Sequence, residues 1–96
     1  MEAYIIVRAD IKDMEKYKEY LKIVPKIIES YGGKAIVRGG RTLTLEGNQE
    51  NRRIVVIKFP SMDKAKEFYY SKEYREAKKL RENIATGDLI IVEGTD

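Results

Sequence analysis

Apolar residues in this chain recur either at every second position or at every third and fourth, and the alternation of those two periods predicts its elements in order. Tyr4 to Ala9 is a short β-branched run and predicts a first strand. Asp13 follows as a helix N-cap, with Glu15 in the first turn, where the helix dipole favours an acid. Tyr17, Tyr20, Leu21, Val24, Ile27, Ile28 and Tyr31 then form one apolar stripe at helical spacing. Pro25 lies inside that stripe and predicts a kink, because proline removes a backbone donor and crowds the preceding turn. Gly32-Gly33 ends the helix.

Lys34 to Arg38 predicts a second strand. Gly39-Gly40 predicts a bulge or sharp bend, and Arg41 to Glu46 a return to extended structure. Gly47 to Asn51 reads as a polar turn, and Arg53 to Phe59 as the third and strongest strand. Pro60 stops it, and Ser61 caps a second helix whose inward stripe is Met62, Ala65, Phe68 and Tyr69. Ser71 is placed to cap again, with Glu73 behind it, so the helix is expected to break and restart around a second stripe of Tyr74, Ala77, Leu80 and Ile84. Asp88 to Glu93 predicts the last strand, and Gly94-Thr95-Asp96 a frayed tail. The order strand, helix, strand, strand, helix, strand defines an α+β class. Its expected form is one domain, residues 1–96, folded as a ferredoxin-like βαββαβ plait with an antiparallel sheet and both helices on one face.

Period-two reading sharpens that picture. Tyr4, Ile6 and Arg8 face away from Ile5 and Val7; Ile54, Val56 and Lys58 oppose Val55, Ile57 and Phe59; Leu89, Ile91 and Glu93 oppose Ile90 and Val92. Both sheet faces are apolar at their centres. Helices cover only one of them, so the other is expected to meet a second subunit, sheet to sheet.

Composition then removes classes of chemistry. The 96 residues contain neither cysteine nor histidine, so disulfides, thiolate nucleophiles, imidazole bases and the commonest metal and haem ligands drop out. No metal and no cofactor are expected, and acid–base work would fall to Asp, Glu, Tyr, Lys or water. The net charge of +3 comes from 19 basic and 16 acidic residues mixed along the helical stretches, a pattern of solvated faces rather than a nucleic-acid stripe. The paired glycines lack a phosphate-loop context, and the third strand lacks the aromatics of an RNA-binding plait. No apolar run is long enough for a membrane span, and the opening residues have no signal-peptide pattern, so the expectation is a cytoplasmic protein. The Lys/Glu-rich surface suggests a thermophilic source.

Several short motifs recur together in a known arrangement: Tyr31-Gly32-Gly33, Arg38-Gly39-Gly40, Leu45-Glu46-Gly47, Phe59-Pro60-Ser61, Phe68-Tyr69, Ser71, Tyr74, Arg81 and Val92-Glu93-Gly94. By their order and spacing the sequence resembles the family called Domain of Unknown Function 1330, within the dimeric α/β-barrel superfamily. Met14 and Lys72 stand where relatives often have proline at a helix start. The resemblance implies a homodimer whose two sheets close into a barrel with helices outside. It implies no assigned reaction, since the wider superfamily spans cofactor-free monooxygenases, isomerases, haem enzymes and ligand-sensing domains.

The candidate ligand-binding residues are Tyr17, Tyr20, Arg38, Tyr69, Tyr74, Arg81 and Glu93. Arg38, at a strand end beside paired glycines, could meet a carboxylate, phosphate or enolate, or could pair with Glu46 or Glu93. The four tyrosines could line a pocket or fill the core; seven tyrosines against two phenylalanines tilt one or two toward a polar role. Arg81 could lie along the helix surface or fold toward Glu93. Glu46 and Glu93 each precede a glycine at a strand end, and a buried one could act as a base. The expected function is binding of a small organic molecule in a partly apolar pocket between helices and sheet, with cofactor-independent monooxygenase- or isomerase-like chemistry as its catalytic form. The alternative is a non-catalytic ligand-binding or assembly module. A common void shared by Arg38, a tyrosine and a carboxylate would favour the enzyme.

Overall fold

Caps and glycines set the element boundaries of the computed structural model, which describes residues 1–95. Strand β1 (Ala3–Ile11) leads to helix α1 (Met14–Ser30), whose N-cap Asp13 accepts a hydrogen bond from the Lys16 amide at 3.1 Å. The helix continues through Pro25. It closes in a Schellman arrangement: the Gly33 amide donates to Ile28 O and the Gly32 amide to Glu29 O, both at 2.9 Å, with Gly32 at φ +79°. Strands β2 (Lys34–Arg38) and β3 (Arg53–Phe59) follow, then helices α2 (Met62–Tyr70) and α3 (Lys72–Lys78), and finally β4 (Ala85–Glu93). Met14 and Lys72 are the first residues of α1 and α3, the helix position where proline is favoured.

Ser61 caps α2 through the Lys64 amide. Ser71 works at two helix ends at once. Its hydroxyl donates to Phe68 O at 2.7 Å, at the end of α2, and accepts from the Tyr74 amide at 3.1 Å, at the start of α3. The predicted break and restart is therefore built on one buried serine.

The four strands pair antiparallel in the order β2-β3-β1-β4, the ferredoxin-like arrangement. Register assigns the faces as alternation predicts. Ala3, Ile5, Val7 and Ala9 share the helix side with Phe59, Ile57 and Val55 and with Ile91 and Leu89; Tyr4 and Ile6 share the outer side with Lys58, Val56, Val92 and Ile90. The core lies between helices and sheet, around Ile5, Phe59, Phe68 and Tyr74, all nearly inaccessible. On the outer face Ile90 and Val92 remain 50% and 44% exposed in the single chain.

Three expectations are corrected. Arg41 to Glu46 forms no strand: Leu43 and Leu45 are 81% and 84% exposed, and among the described residues that segment has no pairing partner. The last strand begins at Ala85 rather than Asp88. Gly87 holds φ +154° and stays in the ladder opposite Ala9; a Cβ there would strike the Arg8 carbonyl, so only glycine lets the strand pass. The tail also starts later, since the Gly94 amide donates to Glu2 O at 2.8 Å, and Asp96 lies outside the described residues.

Candidate functional site

Helix α2 sits close on β1, β3 and β4, whereas α1 meets the sheet chiefly at β2 and leaves a cavity of about 550 Å³ beneath it. Val7, Leu21, Val24, Ile28, Val55 and Ile57 give this space an apolar body, and Tyr17, Tyr20, Glu29, Lys34, Arg38 and Arg53 bring polar groups to it. The volume and the mixed lining are those of a small-molecule site.

A bulge aims Arg38. The β2–β3 register shifts between Ala35 and Val37, so that Ala35 opposes Ile57 and Arg38 opposes Val55, both on the helix side although three residues apart. Without the extra residue Arg38 would fall on the opposite face from Ala35. The alternative ion pairs with Glu46 or Glu93 do not occur: Arg38 has no salt bridge or side-chain hydrogen bond among the described residues. Glu46 lies exposed in the loop after β2, and Glu93 is exposed at the end of β4.

Beside the main cavity lies a void of about 40 Å³, and Tyr17 and Tyr20 line both. Tyr74 and Arg81 border the smaller one. The Tyr20 and Tyr74 hydroxyls are 2.7 Å apart, and Arg81 donates to Tyr74 Oη from Nη2 at 3.1 Å and Nε at 3.4 Å. The Arg81 guanidinium also lies 5.7 Å from the centre of the Tyr20 ring, near enough for a cation–π contact. Arg81 thus folds inward, toward tyrosines rather than Glu93. Burial pushes the Tyr20 hydroxyl far above the ordinary tyrosine range, and the neighbouring Tyr74 adds to it. Burial raises Tyr17 too, opposed by the positive charges of Arg53 and Arg81. Both phenols therefore keep their protons, as donors rather than bases.

Of the seven candidates, Tyr17, Tyr20 and Arg38 meet at the main cavity, and Tyr74 and Arg81 reach it through Tyr20. Tyr69 and Glu93 line neither space; Tyr69 Oη accepts from Lys78 Nζ at 3.1 Å near the surface. Arg53 and Glu29 were missed. Arg53 continues the alternation of Val55, Ile57 and Phe59 one step back, a signal present in the sequence. Glu29 lies on the helix stripe's flank, beside Ile28, and nothing in the spacing marks it.

The outer face carries a separate charged cluster. Glu50 accepts from Arg52 Nε and Nη2, each at 2.9 Å, while Arg52 Nη1 donates to Asp88 at 3.0 Å and Arg8 lies 3.7 Å from Glu50. The Arg52 side chain, with its backbone amide, draws the Glu50 carboxyl down to about 2. Among the described residues no three carboxylates gather in a way that could hold a metal ion, and no helix is long and apolar enough to cross a membrane.

An antiparallel four-stranded plait with its helices on one face defines a ferredoxin-like α+β protein. The model of one family, Domain of unknown function (DUF1330), matches residues 2–95, and the chain belongs to that family. Among solved structures it is similar to RPA0582, a protein of unknown function from Rhodopseudomonas palustris, at 23% identity and TM-score 0.79, covering 99% of this chain and 83% of that one. It is also similar to SnoaB, a cofactor-independent oxygenase from Streptomyces nogalater, at 8% identity and TM-score 0.68, covering 99% and 94%. A third, a dimeric protein of unknown function and ferredoxin-like fold from Bacteroides fragilis, is 14% identical at TM-score 0.58, covering 97% and 96%. Such identities carry the fold alone. Comparison with curated proteins gives no match.

Proposed function

We propose that the chain binds a small organic molecule in the cavity between α1 and the sheet, as a homodimer joined through its outer sheet faces. The observation that carries the reading is the convergence of Tyr17, Tyr20 and Arg38 on one mostly apolar space. A core built only for stability would close that space, because interiors pack densely and voids are costly. The test is a thermal-shift screen of metabolites against the protein and a Leu21→Trp variant, whose larger side chain takes up cavity space. A ligand at a hundred times its Kd adds about 2.7 kcal/mol to native stability. Compounds that raise the melting temperature of the protein but not of Leu21→Trp support the reading; a broad screen without a stabilising compound counts against it.

Catalysis in the same space is the second reading, and the hydroxyl chain favours it. The Tyr20 and Tyr74 hydroxyls share one hydrogen bond that either can donate, and when Tyr74 donates it the Tyr20 proton is left for a group entering the cavity. Tyr20 would then stabilise negative charge as it develops on an oxygenated or enolisable compound. Glu29 is the carboxylate at the cavity and the group suited to remove a proton. The fold likeness to a cofactor-independent oxygenase suggests where such chemistry could sit, and identity of 8% takes it no further. Mass spectrometry of each bound compound, incubated in air with the protein and with Tyr20→Phe, separates the readings. A compound converted by the protein and spared by the variant indicates an enzyme; compounds all recovered unchanged leave a binding module.

A further inference from the structure

We propose that Arg38 and Arg53 form an anion subsite at the sheet end of this cavity, so that its ligand is an apolar organic acid whose carboxylate lies between the two guanidinium groups. The inference deepens the binding role proposed above and rests on it. Arg53 opens β3 on the helix side, opposite Ala9, whereas Arg52, one residue before the strand, reaches Glu50 and Asp88 on the outer side. Arg52 is saturated on the outer side, by Glu50 and Asp88. Arg53 faces inward and has no salt bridge or side-chain hydrogen bond among the described residues, and its Nε is buried without any partner. A buried donor on a charged group left unpaired is costly, and a native structure that keeps one has a use for it or a partner that arrives later.

The backbone is shaped around that guanidinium. Gly39, at φ +70°, is where the chain turns away from β2, and a Cβ there would overlap Arg53 Nη1 and lie 2.6 Å from Cζ. Any side chain at Gly39 would displace the arginine. Arg38, aimed inward by the bulge, lies beside it in sequence and at the same cavity. Lys34 adds a third positive charge to the lining and Glu29 one negative charge, so the space is positive overall. Planar guanidinium forks suit a carboxylate, and the apolar remainder of the cavity suits a hydrocarbon or aromatic body.

Calorimetric titration with naphthoate and with naphthamide, its neutral counterpart, tests the proposal. Naphthoate should bind at least tenfold more tightly than naphthamide, and Arg53→Met should weaken naphthoate by roughly ten- to a hundredfold while leaving naphthamide unchanged, as expected for loss of charge-assisted hydrogen bonds. Arg38→Met, at an exposed strand end, should act in the same direction and keeps the test usable if Arg53→Met folds poorly. Stability without ligand provides a second readout: a merely structural Arg53 would make Arg53→Met less stable, whereas an unpaired one predicts equal or greater stability. Equal binding of the two probes, unaffected by either substitution, overturns the anion subsite and leaves the binding role standing. Failure of both probes to bind overturns both.

Discussion

Removing the Tyr74 hydroxyl tests whether the polar chain under α1 is a cooperative unit. Tyr74 is 1% exposed, and its hydroxyl joins the buried Tyr20 hydroxyl at 2.7 Å to the Arg81 guanidinium at 3.1 Å. Tyr74→Phe keeps the ring and its packing on Phe68, whose centroid lies 4.7 Å away, and removes only these bonds. The Tyr20 bond is neutral and buried, and its loss costs about 1 kcal/mol, with the stranded Tyr20 hydroxyl raising that figure. The Arg81 bonds are charge-assisted, but Arg81 is partly exposed and can turn to water, so its share is discounted to below about 1 kcal/mol. Together the expected loss is about 2 kcal/mol. For a domain of this length each kcal/mol lowers the melting temperature by about 4–8 °C.

The assay is urea unfolding of the protein, Tyr74→Phe, Tyr20→Phe and the double variant, all at one protomer concentration, because a dimer's stability depends on it. Tyr20→Phe should cost about 1 kcal/mol, and the double variant less than the sum of the two, with a coupling of at least about 0.5 kcal/mol. Tyr69→Phe is the control: its hydroxyl bonds Lys78 near the surface and should cost less than about 0.5 kcal/mol. A Tyr74→Phe variant as stable as the parent, or strict additivity in the cycle, would refute the linked chain. The proton path assigned to Tyr20 would fall with it.

Glu50→Gln probes the outer cluster through pH. Glu50 titrates at about 2 in the folded chain against an ordinary 4.5, so its ionised form stabilises the fold fully above 4.5, and that contribution fades as pH falls through about 2. The stability gap between the protein and Glu50→Gln should hold constant from neutral pH to about 5 and shrink below it; a gap unchanged at acid pH would show that Arg52 does not hold the carboxylate. Ile90→Glu places a charge at the centre of the exposed outer face, opposite Ile6, and should convert a dimer into a monomer in sedimentation. A parent chain already monomeric at micromolar concentration would sink the sheet-to-sheet arrangement. If the Lys/Glu-rich surface reflects a hot habitat, the melting temperature should exceed the mesophilic range of about 45–65 °C. The isolated pairs Lys18–Glu15, Lys22–Glu19, Lys64–Glu67 and Lys79–Glu76 are too exposed to account for that alone, and a mesophilic value would end the idea.

Much of the fold was legible because local chemistry and global order agree. Asp13, Ser61 and Ser71 each start the helix their position predicts, and the strand faces follow from alternation alone. The errors arise where a residue's usual role is overridden. Arg41 to Glu46 has strand-like alternation, with Leu43 and Leu45 two apart, but no neighbouring edge pairs with it, and pattern without a partner makes no strand. The last strand was expected only from Asp88, and the freedom of Gly87 is what lets β4 start earlier and run past the Arg8 carbonyl.

The site was half legible for a related reason. Aromatic spacing found Tyr17, Tyr20 and Tyr74, since core-facing positions repeat, and the supply of hydroxyls hinted that some carry polar work. Arg38 was found from its glycines, although its inward aim depends on a bulge at Ile36 that no residue announces. Arg53 was passed over because an arginine beginning a strand ordinarily points to water, and Arg52 beside it does so. Arg53 is the residue that opens β3, and pairing with Ala9 sets it on the helix side, while Arg52 just before the strand turns outward. Here the outward one finds two carboxylates, and among the described residues the inward one finds none. A cation that the strand's own geometry forces inward, beside a glycine that clears room for it, bears on what enters the cavity, because among the described residues it has no salt-bridge partner.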